Sequence, residues 1–278
     1  MDERGGRVSA SQHAKRRPAR RGVGLAPPLR TALARRSVVA MAPRSRPRSA
    51  LGPLPAPRLV KSEAEELYDY EALRQLGEPS MMIGQIGEPT FVLGSAQPRE
   101  VLKDSCSEAA VRRRRGGGGV VLLQPGDLWV DWWIPRDDER WSYDVRASSV
   151  AVGSWWSDAL SEYTSGTRTV HTGALEGDEA HRVACFAGRG PGEVFVDQRK
   201  TVGLTQWRVR EGIFVSTVLH AHPSTLLLGC LRSVPTGLAS ALRHHTTASL
   251  QLSDAVVLYR ALQRASGQWR VRDPLLRA

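Results

Sequence analysis

The positive charge of this chain sits at one end, and that marks out what can fold. Residues 1–60 hold 14 of the 39 Lys and Arg residues but only two of the 28 Asp and Glu. The rest of the chain carries 25 bases and 26 acids, a net of −1. The first 60 residues also contain eight of the 17 prolines and no Trp or Tyr. Such a stretch buries too little apolar surface to offset the entropy of ordering. Residues 1–60 are therefore expected to be a disordered Arg/Pro-rich leader, and residues 61–278 the folded domain. The leader is acid-poor and weakly resembles a mitochondrial transit peptide. Met41 lies inside it, so whether the whole leader is translated stays open.

The near-neutral body excludes several classes of protein. A chain that tracks nucleic-acid phosphates needs a basic face, and no nucleic-acid partner is expected. No run of about 18 apolar residues occurs, so no membrane span is expected. Cys106, Cys185 and Cys230 are far apart in sequence and form no CxxC pair. Neither a disulfide framework nor a zinc site follows, and a reducing cytoplasm fits best, with the mitochondrion as the alternative.

The spacing of apolar and turn residues predicts an α+β domain with a mixed, largely antiparallel central sheet flanked by helices. Strands are expected at Met81–Ile86, Thr90–Gly94, Val120–Leu123, Leu128–Ile134, His181–Ala187, Glu193–Asp197, Thr201–Val209 and Ile213–His220. Pro125-Gly126-Asp127 reads as a hairpin turn between two of them. Helices are expected from Ser62 to about Leu76, weakly over Arg99–Ala109, over Ser148–Tyr163 with Val152, Trp155, Trp156, Ala159, Leu160 and Tyr163 on one face, and over Ser224–Leu231, Thr236–His245 and Ser253–Ala265.

Three segments could carry chemistry. In the first, Arg112–Arg115 precedes four glycines, Gly116–Gly119. Bare backbone N–H groups and guanidiniums there could cradle an anion, or the run could be a solvated flexible loop. The second holds Lys200, one of only four lysines against 35 arginines. It follows the Asp197-Gln198 turn and could be an aimed ammonium or an exposed hairpin residue. The third is Cys185, either a small core residue or a nucleophile if a cation lies nearby. His220-Ala221-His222 and His244-His245 lack a convincing third metal ligand. The tryptophans fit core packing as well as base stacking.

Taken together and in order, these segments resemble the lipoate-protein ligase A family of the biotin/lipoyl ligase superfamily, over about residues 80–235. Val92-Leu93-Gly94-Ser95-Ala96-Gln97 matches its Val-Leu/Ile-Gly-x-x-Gln strand end. Arg113 to Val121 matches Arg-Arg-x-Ser-Gly-Gly-Gly-Ala-Val, with Gly116 in place of Ser. Asp197 to Gln206 aligns with Asp-Gly-Arg-Lys-Ile/Val-x-Gly-x-x-Gln, with Gln198 in place of Gly and Thr201 in place of Ile/Val. Leu122, Leu123 and Gln124 stand where family ligases often have Tyr/Phe-His-Asp.

The resemblance implies a biotin/lipoyl ligase-like catalytic domain that joins lipoate or octanoate to a lysine of a lipoyl domain. In the ligase route ATP, with Mg²⁺, activates the acid as an acyl-adenylate. Arg114, Gly117, Gly118, Gly119, Val120, Val121 and Leu122 would then hold the nucleotide, and Lys200 would contact the acyl phosphate. No protein side-chain metal ligands are assigned. A second branch of the superfamily dispenses with ATP and carries the acyl group on a cysteine in a Cys-Phe segment fifteen residues before the motif lysine, as Cys185-Phe186 stands to Lys200. Implied partners are 2-oxoacid dehydrogenase E2 subunits, the glycine cleavage H protein and a separate accessory domain protein. A non-enzymatic binding protein is the remaining alternative.

Overall fold

The computed structural model describes residues 60–62, 79–106, 109–245, 255–267 and 270–272, all within the unit Pro53–Ala278. Its strands are β1 (Val60–Ser62), β2 (Ser80–Ile86), β3 (Thr90–Leu93), β4 (Ala110–Arg113), β5 (Val121–Leu123), β6 (Leu128–Pro135), β7 (Arg168–Val170), β8 (Val194–Val196), β9 (Arg199–Val209), β10 (Gly212–Leu219) and β11 (Arg270–Arg272). Its α-helices are α1 (Val145–Leu160), α2 (Glu179–Val183), α3 (Leu238–His245) and α4 (Ala255–Ser266). The larger sheet runs β1-β2-β6-β10-β9-β8-β7, with β11 also paired to β2. Only β1 and β11 run parallel to their neighbour; the other pairings are antiparallel. A smaller sheet, β4-β3-β5, has one parallel and one antiparallel pairing. The expected α+β architecture is present.

Strand alternation sorts the core into two faces. Leu128, Val130, Trp132 and Ile134 of β6, with Ile213, Val215 and Leu219 of β10, meet Val152, Trp156 and Leu160 of α1 and Leu258 and Leu262 of α4. Trp129 and Val218 point the other way, toward Phe91, Val92 and Leu93 of the small sheet and toward Phe186. The large sheet is thus the middle layer. Thr217 pins the helical face: its Oγ1 accepts from Trp156 Nε1 at 2.9 Å and donates to the Val130 carbonyl at 3.0 Å. Helix α1 begins where Asp144 accepts a hydrogen bond from the Arg146 N–H at 2.8 Å.

Several expectations are corrected. The Pro125–Asp127 turn exists, but it does not close a hairpin: β5 pairs with β3 in the small sheet, while β6 pairs with β2 and β10. β6 is buried along its whole length and is paired on both edges, with β2 and β10. Arg99–Ala109 is not an α-helix but two short 3₁₀ turns, Arg99–Val101 and Asp104–Cys106, on either side of the buried, extended Leu102. Ala110–Arg113, read as loop, is β4. His181–Ala187 is not a strand. Asp178 accepts from the N–H groups of Ala180 and His181 and starts α2, which passes into a 3₁₀ turn at Cys185–Ala187. Ser224–Cys230 is likewise 3₁₀. β1, β7 and β11 were not anticipated. Val60 of the leader and Ser62 of the expected Ser62–Leu76 helix belong to β1; residues 1–59, residues 63–76 and the Ser253-Asp254 cap lie outside the described residues.

The expected Asp197-Gln198 turn joins β8 to β9, with Val196 opposite Arg199. Both residues have positive φ, 48° and 66°, as the favoured two-residue hairpin turn requires. Asp197 is compensated by its carboxylate, which accepts from the Thr167 N–H at 2.8 Å. A left-handed non-glycine residue costs roughly 1–2 kcal/mol. Gln198→Gly is therefore expected to raise stability by about 1 kcal/mol in urea unfolding; no gain would mean that the Gln198 side chain contributes as much as the backbone loses.

Candidate active site

The glycine run is held from below by Arg114, which is almost wholly buried at 2% exposure. Its guanidinium donates to the carbonyls of Val92 (3.1 Å), Gly117 (2.7 and 3.1 Å) and Gly119 (2.8 Å). Arg113 is spent in the same way, on the carbonyls of Gly94, Ser95 and Gln97. The first two sequence motifs are therefore one unit, also joined by Arg114 N to Leu93 O and Ser95 N to Gly116 O. Gly118 has φ +96°, which only glycine adopts without strain. At Gly116 a Cβ would lie 2.1 Å from Thr205 Oγ1, so the loop rests directly on β9 and leaves no room for the serine of the family pattern.

The Cys185 turn is where the motifs meet. Gln97 Nε2 donates to the Val183 carbonyl at 2.9 Å. Val120 N donates to Val183 O at 2.8 Å, and Cys185 N donates to Val120 O at 3.2 Å. From the opposite side comes Lys200, 1% exposed. Its Nζ donates to Cys185 O at 2.9 Å and Gly188 O at 3.1 Å, and pairs with Glu193 Oε1 at 2.5 Å. A break in strand register aims it there. Phe195 faces Lys200 but Val194 faces Val202, so Thr201 is the extra residue of a bulge. Under strict alternation Lys200 would share the face of Val202, against α1; the bulge turns it to the face of Gly203, toward Cys185.

Beside this turn lies a narrow cleft lined by Arg114, Val121, Trp129, Cys185, Phe186, Thr205, Ser216 and Val218 among others. Cys185 is a free thiol, 8% exposed, and its Sγ would lie 3.8 Å from a Cβ on Gly118. Gly117 is exposed and open on its Cβ side. Val121 and Leu122 are strand residues, opposite Val92 and Phe91.

Comparison with solved structures finds the same chain path. A T. acidophilum protein with bound lipoic acid aligns over 78% of this chain and 89% of its own at 15% identity, TM-score 0.58. A lipoate-protein ligase A bound with ATP aligns over 75% and 83% at 16% identity, TM-score 0.57. The bi-partite lipoate protein ligase of Thermoplasma acidophilum, described with its E2 lipoyl domain, aligns over 75% and 82% at 15% identity, TM-score 0.56. The fold is that of the lipoate-protein ligases. No protein-family model and no curated protein sequence matches the chain.

On this lipoate-ligase fold sit charged groups that the sequence did not flag. Glu193, fully buried, is pushed up by burial; the Lys200 ammonium and the Gly190 N–H, at 2.6 Å, offset only part of this. His181 lies beside the Cys185 turn, with its Nδ1 without a hydrogen-bond partner. Burial, and then the charge of Lys200, hold it below the ordinary histidine value, against the pull of Asp178 and the Cys185 backbone. Cys106 and Cys230, far apart in sequence, lie close enough that burial and then Cys106 push the Cys230 thiol up to about 11. The His220–His222 pair falls just after β10 rather than on a strand: His220 Nδ1 meets Asp127 Oδ2 at 2.8 Å and His222 Nε2 meets Pro125 O at 2.7 Å. Among the described residues no three His, Cys, Asp or Glu side chains gather as a metal cage.

Asp131, opposite Ser216 on the cleft face of the large sheet, is strongly perturbed. Burial raises it from 3.8 to about 7, opposed by hydrogen bonds from Ser216 and Trp129. Between those values the folded chain keeps a proton that the unfolded chain releases. Its contribution to stability is thus fully present below pH 3.8 and lost as pH rises through about 7, at most about 4 kcal/mol. Asp131→Asn should flatten the stability-pH curve across this window in urea titrations; an unaltered slope would contradict the assignment.

Proposed function

We propose that this chain is an acyltransferase that carries a lipoyl or octanoyl group as a thioester on Cys185 and delivers it to a lysine of a lipoyl domain. The observation that carries this reading is the Cys185 thiol, which lines the cleft beside Arg114 and faces Gly118, while the Lys200 ammonium binds the carbonyl of Cys185 itself. The likeness in fold to lipoate-protein ligases supports the acyl class.

In the first step the Cys185 thiolate attacks the acyl carbonyl of a donor such as an acyl-carrier protein. The C–S bond forms and the donor thiolate leaves. In the second step the acceptor lysine, as the free amine, attacks the thioester. The C–N bond forms, the C–S bond breaks, and the amine proton passes to the departing thiolate or to solvent. Backbone N–H groups of the loop would stabilise the oxyanion. Lys200, being enclosed, is a positioning residue: it fixes the turn that carries the thiol. E2 subunits and the H protein are the expected acceptors.

A second reading is ATP-dependent adenylation, favoured by the ATP-bound ligase of the same fold, with Mg²⁺ and an accessory domain protein. The residues present fit the triphosphate poorly. Arg113, Arg114 and Lys200 already donate to protein oxygens, so phosphate contacts would have to displace them. No step is therefore routed through ATP.

The test incubates the full chain with octanoyl-acyl carrier protein and a lipoyl domain, with and without ATP, and reads both proteins by intact mass. Acyl transfer without ATP is expected, with an alkali- or thiol-labile acyl adduct on the enzyme. Cys185→Ser should slow transfer by roughly 10³-fold or more. Lys200→Ala leaves Glu193 buried and unpaired, which costs about 3–5 kcal/mol; the double variant K200M/E193Q removes both charges and separates catalysis from folding. Transfer that needs ATP and free lipoate and survives in Cys185→Ser would move the assignment to the adenylate route.

A further inference from the structure

Beside the Cys185 cleft lies a second, narrower one, and the mechanism above does not use it. Val121 and Phe186 border both. Its walls are mostly apolar, but two polar side chains line it: His220, 4% exposed, and Ser224, 9% exposed. His220 is a built feature. Asp127, with no exposed surface, accepts from the N–H groups of Gln124 (2.9 Å) and Ala221 (2.7 Å) and contacts His220 Nδ1 at 2.8 Å. A neutral imidazole that donates Nδ1–H to this carboxylate presents Nε2 as a bare acceptor. Neither His220 Nε2 nor Ser224 Oγ has a hydrogen-bond partner, so they do not bond to each other. A buried, unsatisfied polar atom costs about 1–3 kcal/mol, and two of them line one cleft.

A hydroxyl placed between these groups would satisfy both, donating to Nε2 and accepting from the serine O–H. The apolar walls favour a hydrocarbon attached to that hydroxyl. The Phe186 ring, 4.3 Å from the His220 ring between centroids, stands on the border and directly follows Cys185 in sequence. We propose that this second cleft takes the far end of the acyl chain held at Cys185 and selects a chain that ends in a hydroxyl. This inference rests on the Cys185 cleft being the acyl site.

The test is calorimetric titration of the full chain with octanoic acid and with 8-hydroxyoctanoic acid. The hydroxy acid is expected to bind about tenfold more tightly, in line with one or two buried hydrogen bonds. Ser224→Ala, a small change that leaves the Asp127–His220 pair intact, and His220→Phe, which keeps an aromatic ring against Phe186, should each bring the affinity ratio close to one. Equal affinities in the unaltered protein, or a preference that survives both substitutions, would overturn the proposal and mean that the polar pair holds a buried water only. If neither acid binds, the acyl reading of the Cys185 cleft fails, and this inference fails with it.

Discussion

The Lys200 ammonium closes the Cys185 turn by binding two of its carbonyls, and the candidate site depends on that contact. An ammonium with no exposed surface is tolerable only if its donors are met, and here they are met by Cys185 O, Gly188 O and Glu193. The turn is gripped from the other side by Gln97 and by the backbone of Val120. Three motifs spread over more than a hundred residues of sequence thus converge on a six-residue segment, Val183 to Gly188, that none of them contains. The cleft, the thiol and the loop keep their relation to one another because this segment cannot move without leaving a buried charge unmatched.

The same economy of donors bears on the chemistry. Runs of arginine and glycine invite the picture of a phosphate cradle, but a guanidinium can stabilise an incoming anion only if its N–H groups are not already engaged. Arg113 and Arg114 build the loop, and Lys200 builds the turn. What lines the cleft besides Arg114 is a cysteine thiol, the Thr205 and Ser216 side chains and apolar wall. That set suits a thioester-bound acyl chain better than a triphosphate. The lipoate-ligase fold is compatible with either, which is why the side chains rather than the fold carry the choice.

Much of this was legible in sequence where the signal was local. The Asp197-Gln198 turn, the long strands β6, β9 and β10 and the apolar stripe of α1 follow from turn chemistry and periodicity. The three motifs were recognisable as a set, and Lys200 and Cys185 were named from them. What was hidden depended on distant contacts or on a single inserted residue. Thr201 looks like any strand threonine, yet the bulge there reverses the direction of Lys200. Cys185 sits in a run that reads as a strand; Asp178, three positions before that run, starts a helix instead. Glu193, Asp131 and the Asp127–His220 pair carry no motif, and only packing brings each to its partner.

The most direct test of the central claim is a crystal structure of the full chain with octanoic or lipoic acid bound. The account predicts the carboxyl beside Cys185 Sγ and Gly118, the chain running past Phe186, and the Lys200 ammonium still on the Cys185 carbonyl. An acid bound elsewhere, or Lys200 swung out to meet it with the turn rearranged, would contradict the account.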